Sequence, residues 1–201
     1  DSESTIMNSG HAYATNRAVS YFDVEGAIHQ QFSGLDFYFF IKDLLENIDE
    51  KAGEMAENLR KTAAFVFDPA HLSISLGCDG KGYDEIERLL PSFKAELDKA
   101  AHESLGEAEW FVPERKNEGI MIPSQVQYVA RAGSFANAGY DYSGAFQVVA
   151  KAVNMDHLYK QIRVRGGAYG CSTQFSRHEG RVTFATYRDP NLTKTDEVFR
   201  N

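Results

Sequence analysis

Apolar residues in the first half of the chain recur every three or four positions, which is the spacing of a helix face. Between residues 33 and 48 they form two stripes, so this helix is predicted to be buried on more than one side. A second helix is predicted over 50–64. A third is predicted to begin at Asp84, whose side chain can cap it, and Pro91 must either kink that helix or start a new one.

Residues 71–77 alternate instead, with Leu72, Ile74 and Leu76 on one side and serines on the other. This pattern predicts a strand with one solvated face. In the second half the pattern predicts strands at 124–131, 168–176 and 181–187, a helix near 142–160, and a further helix after Asn191. A hairpin connection, Arg177–Gly180, joins the last two strands.

Hairpin-linked strands combined with segregated helices favour an α+β fold. The expected architecture is an antiparallel sheet with helices packed on one face. Residues 107–123 combine proline, glycine and charged residues, as linkers do. We therefore predict one partial domain at 1–106, the linker at 107–123, and the start of a second domain at 124–201.

The charge balance narrows the range of partners. The chain has 21 Lys and Arg against 29 Asp and Glu, for a net charge of -8, and no basic cluster stands out. A nucleic-acid partner is therefore not expected. No apolar run is long enough to cross a bilayer, so a membrane partner is not expected either. The acidity favours a cationic peptide at long range.

Two cysteines, Cys78 and Cys171, are too few for a disulfide framework. They are expected to be free thiols in a reducing compartment: the cytoplasm for a bacterial protein, or an organellar matrix for a eukaryotic one. The chain starts at Asp1 without an initiator methionine, and both ends are expected to be cuts in a longer protein.

The most informative segment is Arg163-Val-Arg-Gly-Gly-Ala-Tyr-Gly170. Its paired glycines, Gly166 and Gly167, allow a tight turn or a close approach to another chain. A phosphate cradle is excluded because neither glycine-rich phosphate-binding pattern is present. From spacing alone, an ordinary helix-to-strand turn with a surface Arg163 and a core Tyr169 remains an alternative.

The sequence gives no support for a metal-binding site or for a catalytic nucleophile. Neither H-x-x-E-H nor H-E-x-x-H occurs among the six histidines, so we assign no metal ligand. Cys171 and Ser172 adjoin the glycine-rich segment. They have neither a recognisable base partner nor an elbow motif, so neither is predicted to be a nucleophile.

Several segments, in order, resemble the C-terminal half of presequence proteases, which are zinc peptidases of the pitrilysin/insulinase family. The likeness is densest from 119 to 192 and includes Arg163–Gly170 and Tyr187-Arg-Asp-Pro-Asn-Leu192. Weaker likeness covers residues 8–14 and 33–38.

The resemblance implies a zinc-dependent oligopeptidase that degrades short unstructured peptides. In this family the zinc lies in the N-terminal half, which is an expected partner, and this chain is expected to bind none. The C-terminal half supplies an Arg and a Tyr that match Arg163 and Tyr169, with Gly166, Gly167 and Ala168 beside the substrate. Both side chains can stabilise the charge that develops on the scissile carbonyl.

Two other functions stay open. A non-catalytic substrate-binding or core-type subunit of the same fold need not keep both Arg163 and Tyr169. A generic α+β binding module explains none of the matched segments. The isolated chain is expected to self-associate or to be marginally stable. The alternative is that the two partial domains pack into one unit in which strand 71–77 joins the sheet.

Overall fold

The computed structural model describes residues 2–98 and 112–201. A π-helix covers Val153–Arg165 and a 3₁₀ turn covers Pro69–His71. The strands are β1 (Ala130–Ser134), β2 (Gly170–Ser176) and β3 (Arg181–Tyr187). The α-helices are α1 (Ser2–Asn8), α2 (Gly10–Val19), α3 (Val24–Phe32), α4 (Leu35–Glu46), α5 (Ile48–Val66), α6 (Gly80–Leu97), α7 (Ala145–Ala152) and α8 (Thr193–Arg200).

The three strands form one antiparallel sheet in the order β1-β3-β2. β2 and β3 are a hairpin in which Gly170 pairs with Tyr187 and Ser176 with Arg181. An isolated bridge between Gln127 and Asp189 extends the pairing of β1 and β3 beyond the ladder. The sheet therefore ties the segment after β3 to the segment before β1.

Side chains alternate between the two faces of this sheet. On one face Val129 forms a core with Leu158, Ile162 and Phe199, against which Phe184 packs. The other face carries Tyr128, which is one position from Val129, and Tyr187, which is three positions from Phe184. There both rings lie against His11 of α2. The α+β class with an antiparallel sheet is confirmed, but helices cover both faces of the sheet instead of one.

The chain divides into two compact units, Asp1–Lys42 with Trp110–Asn201, and Asp43–Glu109. In the first unit a charged cluster fastens the N-terminal helices to the segment before β1. Arg17 lies 2.7 Å from Glu118 and 2.8 Å from Asp36, and the Tyr21 hydroxyl donates to Glu118 at 2.5 Å. Hydrogen bonds from Arg17 lower the pKa of Glu118 to about 2, and the pKa of Arg17 is correspondingly raised.

The described part of the second unit contains the last residues of α4, the helices α5 and α6, and the segment between α5 and α6. Neither helix has a buried residue. The strand predicted at 71–77 is wrong: apart from the 3₁₀ turn ending at His71, the segment has no regular structure. Leu72 and Ile74 are 40% and 43% exposed. Alternation alone does not make a strand, since a strand also needs a neighbour to satisfy its backbone, and no described strand pairs with this segment.

Three smaller predictions also need correction. The predicted strand at 124–131 forms its ladder later, over Ala130–Ser134. The helix predicted near 142–160 continues as the π-helix to Arg165. The predicted cap at Asp84 is wrong, because Asp79 caps α6 by accepting a hydrogen bond from the Gly82 N–H at 2.8 Å. Pro91 lies inside α6, so of its two predicted effects the start of a new helix is excluded and the kink stays a prediction.

The predicted linker begins with residues 107–111, which lie outside the described ranges, and residues 112–123 contain no helix or strand. The partition into family domains at 1–106 and 124–201 stays a prediction. The compact units group the chain differently, since the first 42 residues pack with the C-terminal part.

Candidate active site: an arginine and a tyrosine on a double-glycine turn

The π-helix ends in a turn that strongly favours glycine. The Gly167 N–H donates to the Arg163 carbonyl at 3.0 Å, and the Ala168 N–H donates to the Ile162 carbonyl at 3.1 Å. Gly167 has φ +82°, in the left-handed region. A Cβ on Gly166 would lie 2.5 Å from the Ile162 carbonyl oxygen. Both glycines therefore have a steric reason to be glycine.

The residues after this turn point in opposite directions. Ala168 is only 3% exposed and belongs to the core cluster, so its methyl group anchors the turn. Tyr169 is 67% exposed. The alternative that placed Tyr169 in the core is therefore wrong. Ala168 takes the core position instead, and the Tyr169 ring is available to a ligand.

Arg163 lies between two tyrosines. Its guanidinium carbon is 5.9 Å from the centroid of the Tyr169 ring and 5.5 Å from that of Tyr159. Both distances are within the range of a cation–π interaction. Arg163 forms no ion pair with any described residue. The guanidinium is thus oriented by aromatic rings, and its hydrogen-bond donors have no partner among the described residues and are available to a ligand.

The segment after β3 holds the double-glycine turn from the other side. The Tyr169 N–H donates to the Arg188 carbonyl at 3.2 Å. The side-chain amide of Asn191 donates to the Gly166 carbonyl at 2.7 Å. Since one bond falls on each side of the turn, the positions of Arg163 and Tyr169 depend on a segment about 20 residues away in sequence.

That segment is itself fixed by Asp189, which is fully buried. Its carboxylate accepts hydrogen bonds from the Asn191 N–H at 2.8 Å and from the Thr195 hydroxyl at 2.7 Å. Its backbone exchanges two hydrogen bonds with Gln127. A buried carboxylate is tolerated only with such partners. The motif Asp189-Pro-Asn191 thus serves as a clamp for the turn.

Tyr187 connects the site to the N-terminal helices. Its ring meets Tyr169 edge-on at 5.8 Å and His11 edge-on at 5.0 Å. The Tyr128 ring lies 5.8 Å from it, and the Tyr128 hydroxyl donates to the Met7 carbonyl at 2.6 Å. Nδ1 of His11 is buried with no described hydrogen-bond partner. His11 therefore contributes ring packing behind the site.

Cys171, two residues after Tyr169, is poorly suited to nucleophilic chemistry. Burial raises the pKa of its thiol, an effect that Arg163 only partly offsets. A raised pKa disfavours the reactive thiolate at neutral pH.

The five residues predicted from the sequence lie on one turn: Arg163 and Tyr169 come together at its surface, with Gly166 and Gly167 between them. Sequence reasoning missed Tyr187, Arg188, Asp189 and Asn191 as parts of the site. Their signal was the resemblance over Tyr187–Leu192, to which we attached no role.

The zinc ion that the resemblance implies would need ligands from His, Cys, Asp or Glu side chains. Within residues 2–98 and 112–201, no group of three His, Cys, Asp or Glu side chains is placed to hold a metal ion. A protein zinc site requires at least three such ligands, so the described residues do not fit zinc. Over the same residues, no helix combines the length and apolar character of a membrane span.

Two family models match the chain. The model described as the PreP C-terminal domain matches residues 117–201, and the one for the domain associated with subfamily C of the M16 peptidases matches residues 1–44. Together they include α1 to α3, most of α4, the sheet and the double-glycine turn. The chain is therefore a member of the M16, pitrilysin/insulinase-type, peptidase family.

Individual relatives specify the group within this family. The chain is 33% identical over 200 residues to Protein HypA of Clostridium perfringens, and 30% identical over 197 residues to presequence protease 1, chloroplastic/mitochondrial, of Arabidopsis thaliana. It is 25% identical over 206 residues to the mitochondrial presequence protease of Saccharomyces cerevisiae. These alignments cover 98% or 99% of the chain but only between 18% and 21% of the relatives. The chain is presequence-protease-like and spans about a fifth of their length.

Proposed function

We propose that this chain is part of the C-terminal half of a zinc-dependent oligopeptidase that degrades short unstructured peptides. Arg163 and Tyr169 bind the substrate and polarise the scissile carbonyl. The observation that carries the proposal is the exposed Tyr169 ring with the unpaired Arg163 guanidinium 5.9 Å from its centroid. Membership of the presequence-protease group supports it.

The chemistry requires two different donors. Attack of water on a peptide carbonyl places negative charge on its oxygen, and a hydroxyl aimed at that oxygen stabilises the charge only as it develops. Tyr169 has that donor at the surface. Arg163 carries a planar fork of N–H groups, which can hold a neighbouring backbone carbonyl in register before the reaction. The two roles predict different kinetic effects.

Zinc would be held by residues of the enzyme outside this chain, in its N-terminal half, and would activate the attacking water. The purified chain is then expected to bind no stoichiometric zinc after dialysis and to cleave no peptide. One tightly held zinc per chain, with turnover that a chelator abolishes, would contradict this assignment.

The proposal is tested in the full-length enzyme with a quenched fluorescent peptide. Tyr169→Phe is expected to lower kcat by about 10²–10³ with little change in KM, because its hydroxyl acts on the transition state. Arg163→Ala is expected to impair both constants, and Arg163→Lys to restore little, since an ammonium lacks the planar fork. The matched control is Tyr140→Phe, since Tyr140 is similarly exposed at 65%.

The alternative function is a non-catalytic, substrate-binding or core-type subunit of the same fold. It predicts that the full-length protein binds peptides without turnover. An unchanged kcat in Tyr169→Phe would return this tyrosine to a packing role beside Tyr187.

A further inference from the structure

Arg188 is a second exposed cation at this site. Its guanidinium carbon lies 5.4 Å from the centroid of the Tyr187 ring, and it forms no ion pair with a described residue. Elsewhere on the sheet and α8, arginines have carboxylate partners: Arg131 and Arg200 pair with Asp196, and Arg181 pairs with Asp23. Arg188, like Arg163, therefore has no acidic partner among the described residues, although the chain has a net charge of -8.

The backbone of Arg188 is strained. Its φ is +49°, and it is the only described residue other than glycine with a positive φ. This conformation costs a residue with a Cβ about 1–2 kcal/mol, so glycine would be the less costly choice. Hydrogen bonds on both sides impose it, through the Arg188 carbonyl and through Asp189. Strain of this kind is characteristic of functional sites, where the side chain has a use.

Arg188 is connected to Arg163 by a row of aromatic rings. The Arg163 guanidinium lies 5.9 Å from the Tyr169 ring, the Tyr169 and Tyr187 rings are 5.8 Å apart, and Arg188 lies 5.4 Å from the Tyr187 ring. This row, Arg163-Tyr169-Tyr187-Arg188, is no longer than about five residues of an extended peptide. A peptide bound at Arg163 and Tyr169 can therefore reach Arg188.

We infer that Arg188 is a specificity-determining residue that binds a carboxylate of the peptide substrate, within about five residues of the bond at Arg163 and Tyr169. The inference rests on the proposed function, since that function places a peptide at this turn. The guanidinium fork matches a carboxylate in shape and charge, and the tyrosine rings support the intervening chain. The carboxylate comes from an Asp or Glu side chain or from the peptide C-terminus.

The test uses the full-length enzyme and three labelled peptides. One has no carboxylate, with Gln inside and an amidated C-terminus; the second has Glu in place of that Gln; the third has a free C-terminus. Binding is measured by fluorescence anisotropy on chelator-treated enzyme, and kcat/KM on untreated enzyme. We expect at least one carboxylate peptide to bind about 10-fold tighter than the peptide without one, with the preference falling as salt is added. The preferred peptide identifies the source of the carboxylate.

Four variants test whether the carboxylate preference depends on Arg188. Arg188→Ala and Arg188→Gly are both expected to reduce it to near one, although only the glycine relieves the backbone strain. Arg188→Lys is expected to keep a few-fold preference because it keeps the charge. The control is Arg177→Ala, which removes an exposed arginine lying 5.8 Å from the Tyr142 ring, at the opposite end of β3. It is expected to leave the preference intact.

Three results would overturn the inference: no preference in the unmodified enzyme, a full preference in Arg188→Ala, or a loss that Arg177→Ala reproduces. A loss in Arg188→Gly but not in Arg188→Ala would assign the effect to backbone geometry and would also overturn it. Failure of the proposed function is a separate result. Peptides would then bind without turnover, and the carboxylate preference would still be decided by anisotropy.

Discussion

The two compact units of this chain stabilise their helices in different ways. In the first unit, Leu158 and Ile162 of the π-helix are 1% and 2% exposed and pack in one core with Phe199 of α8. In the second unit, α5 and α6 bury no residue, and Leu59 and Leu89 are 61% and 54% exposed. The first unit is held by tertiary packing, and within the second the helices rely on local interactions.

Those local interactions are visible in the second unit. Asp79 caps α6, Arg60 pairs with Glu57 within α5, and Lys51 of α5 pairs with Asp43 near the end of α4. The cap contributes about 1 kcal/mol, and the exposed Arg60–Glu57 pair within one helix about 0.2–0.5 kcal/mol. Such terms maintain a helix but do not position a side chain for chemistry. The Arg163 and Tyr169 site lies wholly in the first unit, where buried contacts support it.

Matched leucine substitutions should separate the two units most clearly. Leu158→Ala removes a buried side chain and leaves a cavity, so we expect a loss of about 2–5 kcal/mol in the free energy of unfolding. Leu89→Ala in α6 should change it by less than about 0.5 kcal/mol. Urea unfolding followed by circular dichroism gives both values. Equal losses would show that α6 is buried in solution.

A pair of asparagines tests the clamp on the double-glycine turn. Asn191→Ala leaves the Gly166 carbonyl without its partner and is expected to cost about 1–3 kcal/mol. In the full-length enzyme it should also lower kcat through displacement of Tyr169. Asn47→Ala removes an exposed side-chain bond to Asp43 and should cost under about 1 kcal/mol. A smaller cost at Asn191 than at Asn47 would refute the clamp.

Acid should weaken the first unit through Glu118. The pKa of its carboxyl in the folded protein is about 2, below its ordinary value of 4.5. Glu118 therefore stabilises the fold above pH 4.5, and this contribution is lost as the pH falls from 4.5 towards 2. Glu118→Gln is expected to cost about 1–2 kcal/mol at pH 7 and little near pH 2, as measured by urea unfolding across this range.

Asp43 of the second unit is the control for that titration. Its pKa is also lowered, by a hydrogen bond from Lys51, but its side chain is exposed to solvent. Asp43→Asn should leave the pH dependence nearly unchanged. A Glu118→Gln variant with the original acid sensitivity would assign the effect to other carboxylates.

Two glycine-to-alanine substitutions should change the stability of the protein in opposite directions. Gly167→Ala places a Cβ at φ +82° and is expected to destabilise the protein by about 1 kcal/mol. Gly53→Ala lies in exposed α5, with nothing within 4 Å of the new Cβ, and is expected to stabilise it by about 0.5–1 kcal/mol. Differential scanning calorimetry measures both. The same sign for both would mean that the turn at Gly167 is not constrained in solution.

Local sequence determined the elements that depend on local physics. The helix predicted over 50–64 is α5, the strand predicted at 168–176 is β2, which begins two residues later at Gly170, and the strand at 181–187 is β3. Apolar periodicity and the Arg177–Gly180 turn specify these elements directly. Local sequence also singled out Gly166 and Gly167, whose steric need is set within a few residues. The family resemblance, and no local pattern, predicted that Arg163 and Tyr169 act together. The fold determines how the two side chains are placed relative to each other.

Tertiary structure decided what depends on distant partners. The alternation at 71–77 is as regular as in a strand, yet no described strand pairs with it. Ala168 lies in the core and Tyr169 at the surface, and the backbone N–H of Tyr169 is held by the carbonyl of Arg188, a contact that no local pattern specifies. Asn191 reaches Gly166 across 25 positions of sequence, and Arg188 adopts its strained φ because Tyr169 and Gln127 hold the backbone around it. Contacts of such sequence separation are invisible to periodicity, because they form only when the sheet brings the two segments together.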